Sequence, residues 1–370
     1  MAQAPRVRRS STPCWVPGTP QRPTRRARTT NLVGRNARHG VSERPTRRAA
    51  GLDTVGNTDV VTVPPGDLDA LAADFTARRS DLLAVAYRIT GIRSDAEDAV
   101  QEAWLRLAGT APEVRAEIRD LGAWLATVVG RICLDRLRSA AARRERYVGQ
   151  WLPEPVVTPL EGGDPTQPLT EIVHRDEVRM AAMVVLDRLT PEQRVAFVLH
   201  DALAVPFAEI ASTLGCTTDA ARQHASRARR IVAEADPPHR ASLEQQRDLL
   251  ERFMHALMNG DVDTVTHLLH PDVVLIGDAD GKARTALQVV TGADKIARFA
   301  FGLRAQYSAE ALAGGRLVLV NGDLGMYFPP HPGDTEHRAL DARLHTIAVR
   351  DGSIAAFYDQ ANPDKLGTIP

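Results

Sequence analysis

Two helical patterns separated by one glycine constrain the fold of residues 207–232. Apolar positions recur at helical spacing before the glycine: Ile210, Ala211 and Leu214. Gly215 follows, where helices often end on a left-handed residue, and the Thr217 hydroxyl is placed to cap the next helix. The second pattern has small residues on one side, which allow close packing against the first helix: Ala220, Ala221, Ala225 and Ala228. The stretch therefore predicts two helices joined by a tight turn.

The second predicted helix is basic along its other side. Arg binds phosphate or reads guanine, and Gln reads adenine, when such a helix lies in the major groove of DNA. The layout is that of a helix-turn-helix. An ordinary helical hairpin with a solvated basic face is the alternative interpretation. The candidate DNA-binding residues are Thr218, Arg222, Gln223, His224, Arg227, Arg229 and Arg230.

The composition indicates a globular chain with two or three domains. It has 370 residues, 44% of them hydrophobic, and a net charge of zero, so charge distribution is more informative than total charge. The three cysteines, Cys14, Cys133 and Cys216, make no metal or disulfide pattern, which favours a reducing compartment. No apolar run approaches membrane-spanning length. We expect a cytoplasmic protein that needs no metal or organic cofactor.

Residues 1–66 are rich in Arg, Thr, Ser and Pro and show no hydrophobic periodicity. Such a segment cannot build a core, so we predict a disordered basic extension. A start codon assigned too far upstream is an alternative, and a transit peptide is a weaker one. A basic tail would add nonspecific affinity for DNA.

Residues 67–148 predict a small helical bundle with one acidic and one basic helix. An apolar stripe predicts a first helix ending at Gly91: Leu68, Leu71, Phe75, Leu82, Val85 and Ile89. Ser94–Glu97 predicts a capping box for the next helix, which has an acidic side. A third amphipathic helix then runs into a group of arginines. Simple solvation explains either charged face taken alone.

Three stretches of this bundle resemble region 2 of bacterial extracytoplasmic-function sigma factors. They are Asp-Ala-Glu-Asp-Ala-Val-Gln-Glu-Ala-Trp-Leu-Arg at 95–106, Ala-Trp-Leu-Ala-Thr-Val-Val at 123–129, and Cys-Leu-Asp-Arg-Leu-Arg-Ser at 133–139. The resemblance implies a promoter-recognising subunit of RNA polymerase. The acidic side would bind the clamp helices of the polymerase β′ subunit through Asp95, Asp98, Gln101 and Glu102.

The same resemblance implies that the third helix, with the loop at 111–120, opens and reads the −10 promoter element. Capture of single-stranded DNA suits aromatic and Arg surfaces. The implied residues are Trp124, Arg131, Asp135, Arg136 and Arg138. Trp104 and Trp124 also have the ordinary interpretation of core residues.

Residues 149–177 are dense in proline and predict an extended linker that opens with Trp-Leu-Pro-Glu-Pro at 151–155. Thr190-Pro191-Glu192-Gln193 then predicts a capped helix leading to the helix-turn-helix, within a second helical domain at 178–235. This domain resembles sigma region 4, which implies that it reads the −35 element and contacts the β flap. His224 stands where resembling sequences usually have Leu.

Residues 241–370 predict an α+β domain with helices first and strands in pairs. Asn321-Gly322 and Asp351-Gly352 each lie between two strand patterns and predict hairpins. The order of elements favours a curved sheet. The domain resembles the SnoaL-like, nuclear-transport-factor-2-like fold, whose cone encloses a pocket. The expected fold class is therefore multidomain, with two all-α domains and an α+β cone.

Sigma factors with a fused SnoaL-like domain carry three further motifs, and this chain matches them in order. The first is the linker motif: Trp151, Leu152, Pro153, Glu154 and Pro155. The second, usually Asp-Gly-Gly-Gly-Lys/Arg, is altered to Asp278, Ala279, Asp280, Gly281 and Lys282. The third is terminal: Asn362, Pro363, Asp364, Lys365 and Leu366. The resemblance implies regulation in cis through these segments, and no separate anti-sigma factor.

Two other classes of protein stay open at this point. A SnoaL-like enzyme would use an acid or base, for which the candidates are His270, Asp272, Asp278 and His345. A ligand sensor or enzyme fused to a helix-turn-helix regulator would bind DNA without polymerase. The separate acidic-plus-basic bundle at 67–148 argues against such a regulator, because a regulator of that class needs no region 2.

Overall fold

The computed structural model describes residues 65–144, 146–160, 169, 172–173, 175–367 and 369. Of the predicted basic extension, residues 1–64 lie outside this part of the chain. Residues 162–168 of the predicted linker, which include some of its prolines and glycines, lie outside the described part of the chain as well.

Five helices make the first domain: α1 (Pro65–Thr76), α2 (Arg79–Thr90), α3 (Arg93–Ala108), α4 (Pro112–Ala116) and α5 (Leu121–Arg144). The prediction of one helix from Leu68 to Ile89 is wrong, because the helix is interrupted between Thr76, where α1 ends, and Arg79, where α2 begins. The Arg78 N–H bonds the Phe75 carbonyl, a tighter turn than that of an α-helix. The apolar stripe continues across this turn, so periodicity alone does not reveal it.

The predicted capping box at Ser94–Glu97 is also wrong. Helix α3 begins at Arg93, and its N-cap Ile92 offers no side-chain hydrogen bond. Instead the Arg93 N–H donates to Oε2 of Glu154 at 2.9 Å. A carboxylate at a helix N-terminus satisfies a free N–H and interacts favourably with the helix dipole. The cap thus comes from the linker motif, 61 residues further along the chain.

The second domain has helices α6 (Met180–Leu186), α7 (Pro191–Leu203), α8 (Phe207–Leu214) and α9 (Thr218–Ala235). A 3-10 turn at Asp176–Val178 precedes them. The capping box of Thr190 and Gln193 is confirmed in both directions. Gly215 ends α8 with φ of 67°, and the Thr217 hydroxyl accepts from the Ala220 N–H at 3.2 Å. The predicted helix-turn-helix is confirmed.

The C-terminal domain combines five helices with one sheet. Its helices are α10 (Leu243–Asn259), α11 (Val262–Leu268), α12 (Ala293–Arg304), α13 (Ala309–Ala313) and α14 (Pro363–Leu366). Its strands are β2 (Leu269–Asp278), β3 (Val290–Thr291), β4 (Arg316–Val320), β5 (Asp323–Phe328), β6 (Arg343–Arg350) and β7 (Ser353–Gln360). The fold class, two helical domains and an α+β domain, is confirmed.

With β1 (Val157–Thr158), the sheet of the described residues has the order β1-β4-β5-β6-β7-β2-β3, and of its strand pairs β2–β7 alone is parallel. Both predicted hairpins form, with positive φ at Asn321, Gly322, Asp351 and Gly352. Strand β1 (Val157–Thr158) comes from the linker and pairs with β4, Val157 lying opposite Val320. Residues Val157–Thr158 of the linker therefore form an edge strand of the C-terminal sheet.

Both faces of this sheet are buried, each in a different core. Along β7, Phe357 packs among residues of α10, α11 and α12, whereas its neighbours Ala356 and Tyr358 lie in the core on the opposite face. That second core includes Leu152 and Val157 of the linker, and Met180, Ala181 and Val184 of α6. The linker and the second domain therefore cover one face of the sheet.

The two helical domains also share one hydrophobic core. At the closest approach, a Cβ added to Gly130 of α5 would lie 2.7 Å from Cδ1 of Leu199 on α7. Arg194 of α7 is 2% exposed, and its Nε donates to the Arg88 carbonyl of α2 at 2.7 Å. The glycine lets α5 and α7 pack closely.

We expect Gly130→Leu to weaken the contact between the two helical domains. Overpacking of a tight core destabilises by about 1–3 kcal/mol. Gly302 on α12 is the matched control, since it is exposed and a Cβ there meets no atom within 4 Å. Both changes bring the same gain in helix propensity. Urea unfolding and solution scattering measure the effect, and equal behaviour of the two variants would disprove this role of Gly130.

Candidate nucleic-acid interface and interdomain contacts

Helix α9 has one buried and one solvent-facing side. Ala221, Ala225 and Ala228 are fully buried in the helical core. The opposite side exposes most of the candidate DNA-binding residues: Arg222, Gln223, Arg227, Arg229 and Arg230. Arg222 pairs with Asp219 at 2.9 Å, and Arg229 with Asp201 of α7 at 2.9 Å. The geometry presents a basic helix face of the kind that enters a major groove.

Two candidates of this set are less accessible than the rest. Thr218 is half-buried at the N-terminus of α9. His224 is half-buried as well, and its Nδ1 is shielded from solvent without a hydrogen-bond partner in the described structure. The side chain of His224 thus lies between the packed and the exposed sides of α9.

The predicted polymerase-binding residues share the exposed side of α3. Asp98 and Gln101 are exposed, whereas Asp95 and Glu102 are half-buried. Arg136 of α5 donates to Asp95 at 3.0 Å and approaches Asp98 at 3.5 Å. A residue predicted to read DNA is therefore paired with two residues predicted to bind polymerase.

The other predicted −10 residues lie along α5. Arg131, Asp135 and Arg138 are exposed, whereas Trp124 is half-buried and packs against the helical core. Arg138 pairs with Glu192 of α7 at 3.1 Å. Helix α5 thus uses part of its polar surface to contact the second domain.

The Asp278 cluster, defined here as Asp278, Tyr147, Leu152, Lys365 and Gln360, joins the linker to the C-terminal domain. The Asp278 side chain is fully buried. It accepts from the Tyr147 hydroxyl at 2.5 Å, from the Leu152 N–H at 2.8 Å and from Lys365 at 2.6 Å. Gln360 approaches at 3.4 Å. Burial and the adjacent Asp278 charge raise the pKa of Tyr147, so its hydroxyl stays a donor.

Three residues of the terminal motif contact this cluster or the loop at 278–282. Lys365 also donates to the Leu152 carbonyl at 2.6 Å, and its Nζ lies 4.3 Å from the ring centroid of Trp151. Asn362 donates to the Tyr147 hydroxyl at 2.8 Å. Asp364 bonds Lys282 of the second motif. The three motifs separated in sequence meet in one place.

The altered loop at 278–282 keeps a left-handed turn without its usual glycines. Asp280 has φ of 49° and Gly281 has φ of 68°. Asp tolerates the left-handed region better than most residues. Ala279 does not need positive φ and is buried instead. One of the two missing glycines is therefore replaced by a residue that adopts the same conformation.

The Asn321 cluster, defined as Asn321, Tyr87, Val156, Val178 and Glu154, joins all three domains to the linker. The Asn321 side chain is fully buried and accepts from the Val156 N–H at 2.9 Å. Its amide donates to the Tyr87 hydroxyl at 2.9 Å and to the Val178 carbonyl at 2.6 Å. Tyr87 in turn donates to the Glu154 carbonyl at 2.6 Å.

Sequence reasoning missed four of these residues. The sequence predicts only a turn at Asn321 and indicates no role for Tyr87, Tyr147 or Arg194. The side-chain amide of Asn321 has four possible hydrogen bonds, and turn preference explains none of them. An aromatic hydroxyl within an apolar stripe, as at Tyr87, is the one signal that indicates a buried partner.

The four candidates for an enzyme are not brought together. His270 and Asp272 lie at the start of β2, and Asp278 at its end within the Asp278 cluster. His345 of β6 lines a separate apolar cavity, 3.0 Å from Asp359. The described residues contain no group of three metal-binding side chains, and none of the helices described is long and apolar enough to cross a membrane.

Comparison with known proteins places these observations in a family. The model of sigma-70 region 2 matches residues 75–143, and that of sigma-70 region 4 matches residues 179–232. The extracytoplasmic-function sigma factor SigJ of Mycobacterium tuberculosis is 50% identical over 306 residues, covering 80% of this chain and 94% of SigJ. The chain belongs to the family of extracytoplasmic-function RNA polymerase sigma factors. It is a transcription initiation factor that binds core RNA polymerase and promoter DNA.

Other matches agree with this membership. A probable sigma factor of the same family in Mycobacterium tuberculosis, SigI, is 36% identical over 234 residues, covering 62% of this chain and 75% of SigI. The crystal structure of SigJ superimposes with a TM-score of 0.66 at 48% identity, covering 81% of this chain and 99% of SigJ. Because this likeness extends beyond regions 2 and 4, it includes the C-terminal domain of the sigma factor.

We expect Asp278→Asn to destabilise the docking of the linker. Removing one charge of a buried pair costs about 3–5 kcal/mol, since Lys365 is left buried without its carboxylate. Hydrogen exchange of the linker peptide at 151–158 measures this locally. The double variant with Lys365→Met should lose less than the sum of the two single changes. Asp248→Asn on α10 is the control, since its carboxylate is 60% exposed and pairs with Arg252 of the same helix. Equal exchange in the Asp278→Asn and Asp248→Asn variants would contradict the assignment.

Proposed function

We propose that this sigma factor reads the −35 element with α9 and the −10 element with α5, and that its C-terminal domain restrains it in cis. The exposed basic side of α9 supports the first role. The acidic side of α3 is proposed to bind the β′ clamp helices, and region 4 the β flap. Its place of action is then the cytoplasm, where polymerase and chromosome meet.

The spacing of the two promoter elements conflicts with the close contact between regions 2 and 4, and this conflict supports the restraint. About 25 base pairs separate them, and at 3.4 Å per pair this spans about 85 Å of duplex. Regions 2 and 4 share one hydrophobic core here, and Arg138 of the −10 set is paired with Glu192 of region 4. Two domains in such contact cannot reach both elements at once. Transcription therefore requires the two regions to separate.

The linker connects this separation to the C-terminal domain. The Glu154 side chain accepts from the N-terminus of α3. The backbone N–H of Leu152 donates to Asp278, and that of Val156 donates to Asn321. Region 4 is attached to the same sheet through α6. Release of the linker would remove the cap of the polymerase-binding helix and one cover of the sheet together. A domain that performs this restraint within the same chain makes a separate anti-sigma factor unnecessary, and it needs no catalytic activity.

Alanine at Arg222 or Arg227 should weaken recognition of the −35 element. A side chain bound to a base edge contributes about 1–3 kcal/mol, or roughly 5- to 150-fold in affinity. Run-off transcription with purified core polymerase, on a promoter from the neighbourhood of the gene, gives the readout. Arg247→Ala on α10 is the control, since its side chain is 45% exposed and paired on its own helix. Unchanged promoter output for both region 4 variants would refute the assignment.

Release of the C-terminal restraint should raise transcript yield. In the same assay, Asp278→Asn and removal of residues 362–370 are expected to increase output while the preference for promoter sequence is kept. Asp248→Asn, at an exposed position on α10, should behave as the wild type. Co-elution with core polymerase separates a docked but restrained factor from one that does not bind. Output identical in all variants would overturn regulation in cis and leave the sigma activity intact.

A further inference from the structure

The C-terminal domain contains an apolar cavity on the face of the sheet that is turned away from the linker. Helices α10 and α12 and strands β2, β5, β6 and β7 enclose about 100 Å³. Four phenylalanines are among the lining residues: Phe253, Phe299, Phe328 and Phe357. An engineered apolar cavity of about 150 Å³ is large enough to hold benzene. This cavity has about two-thirds of that volume, and it is partly open to solvent, so a larger molecule can extend outward.

The charged side chains that line this cavity, Arg304 and Arg343, are both cations and hydrogen-bond donors. Arg343 is 3% exposed, and its Nη2 donates to the Arg284 carbonyl at 2.6 Å. Its Nε is shielded from solvent and has no hydrogen-bond partner in the described structure. The same holds for Nε of Arg304, whose Nη2 donates to the Met258 carbonyl. Buried donors without partners are costly, so these atoms indicate a missing acceptor.

One carboxylate, that of Asp359, stands behind the cavity. Its Oδ2 accepts a hydrogen bond from Thr285, whereas its Oδ1 has no hydrogen-bond partner in the described structure. Asp359 is 3% exposed, accepts from Thr285 at 2.7 Å and lies 3.0 Å from His345 and 3.8 Å from Arg343. Burial alone would raise the pKa of Asp359, but the charges of His345 and Arg343 outweigh it and hold that pKa well below its usual range. No Asp or Glu is among the residues that line the cavity. The two positive charges of Arg304 and Arg343 exceed the single negative charge of Asp359, so a net positive charge remains at the cavity.

We propose that this cavity binds a small apolar carboxylic acid. The apolar part lies among the phenylalanines, and the carboxylate accepts from Arg343, with Arg304 supplying the remaining positive charge. Arg binds carboxylates strongly through charge-assisted hydrogen bonds, most of all where water is excluded. A neutral apolar molecule would fill the same space and leave the donors unsatisfied. The site is independent of the sigma activity and can be tested on the protein alone.

Calorimetric titration of the full-length protein with sodium hexanoate tests the proposal. Hexanoate should bind at least about tenfold more tightly than 1-hexanol, because only the acid supplies a charged acceptor. Acetate has the charge without the apolar chain and should bind more weakly than hexanoate. Equal affinity for hexanoate and hexanol, or no heat from hexanoate up to about 10 mM, would overturn the proposal.

Two variants locate the binding site. Arg343→Met should abolish the preference for the acid, but its burial puts folding at risk. Ala300→Phe is therefore the second variant, because residue 300 lines the cavity from α12 and is half-buried. It should lower hexanoate affinity at least about tenfold by occupying the space. Arg316→Met, on β4 beside Tyr327, is the control and should bind as the wild type. Unchanged affinity in Ala300→Phe would place hexanoate elsewhere and refute the site.

Discussion

A buried carboxylate determines how the parts of this sigma factor are held together. Removing a charge from water is costly unless donors replace the water, and Asp278 is fully buried. Its donors come from the segment before the linker, from the linker backbone and from the terminal helix, through Tyr147, Leu152 and Lys365. Because these groups are distant in sequence, the charge is satisfied only when all three segments are docked. The docking is for this reason cooperative.

The sheet adds a hydrophobic constraint to this electrostatic one. Its strands alternate side chains between two apolar faces. Helices α10, α11 and α12 cover one face, whereas the short helix α14 contributes only Leu366 to the other. The other face is covered by the linker and by α6 of region 4. The C-terminal domain is thus part of the same packed body as region 4. Any separation of the domains exposes apolar surface, so binding of polymerase and promoter must offset that loss.

Three polar contacts join the linker motif to the first domain. Glu154 caps α3 with its side chain, while its carbonyl accepts from Tyr87 and its N–H donates to the Gly91 carbonyl. Burial raises the pKa of Glu154, an effect that the Arg93 N–H partly opposes. The linker therefore contacts the first domain as closely as it contacts the last. One short segment is therefore bound to both domains at once.

Local sequence determined the elements whose causes lie within a few residues. The turn at Gly215, the caps at Thr190 and Thr217 and the hairpin at Asn321 were predicted, because each depends on adjacent residues. The motifs also sufficed to identify the family, whereas the roles assigned to single side chains on α3, α5 and α9 stay predictions.

Tertiary structure alone decided the cap of α3, the second role of Asn321 and the burial of Asp278. In each case the partner lies more than 60 residues away, as for Glu154 and Arg93. No periodicity or propensity encodes such a distance, because these contacts exist only after the domains have packed.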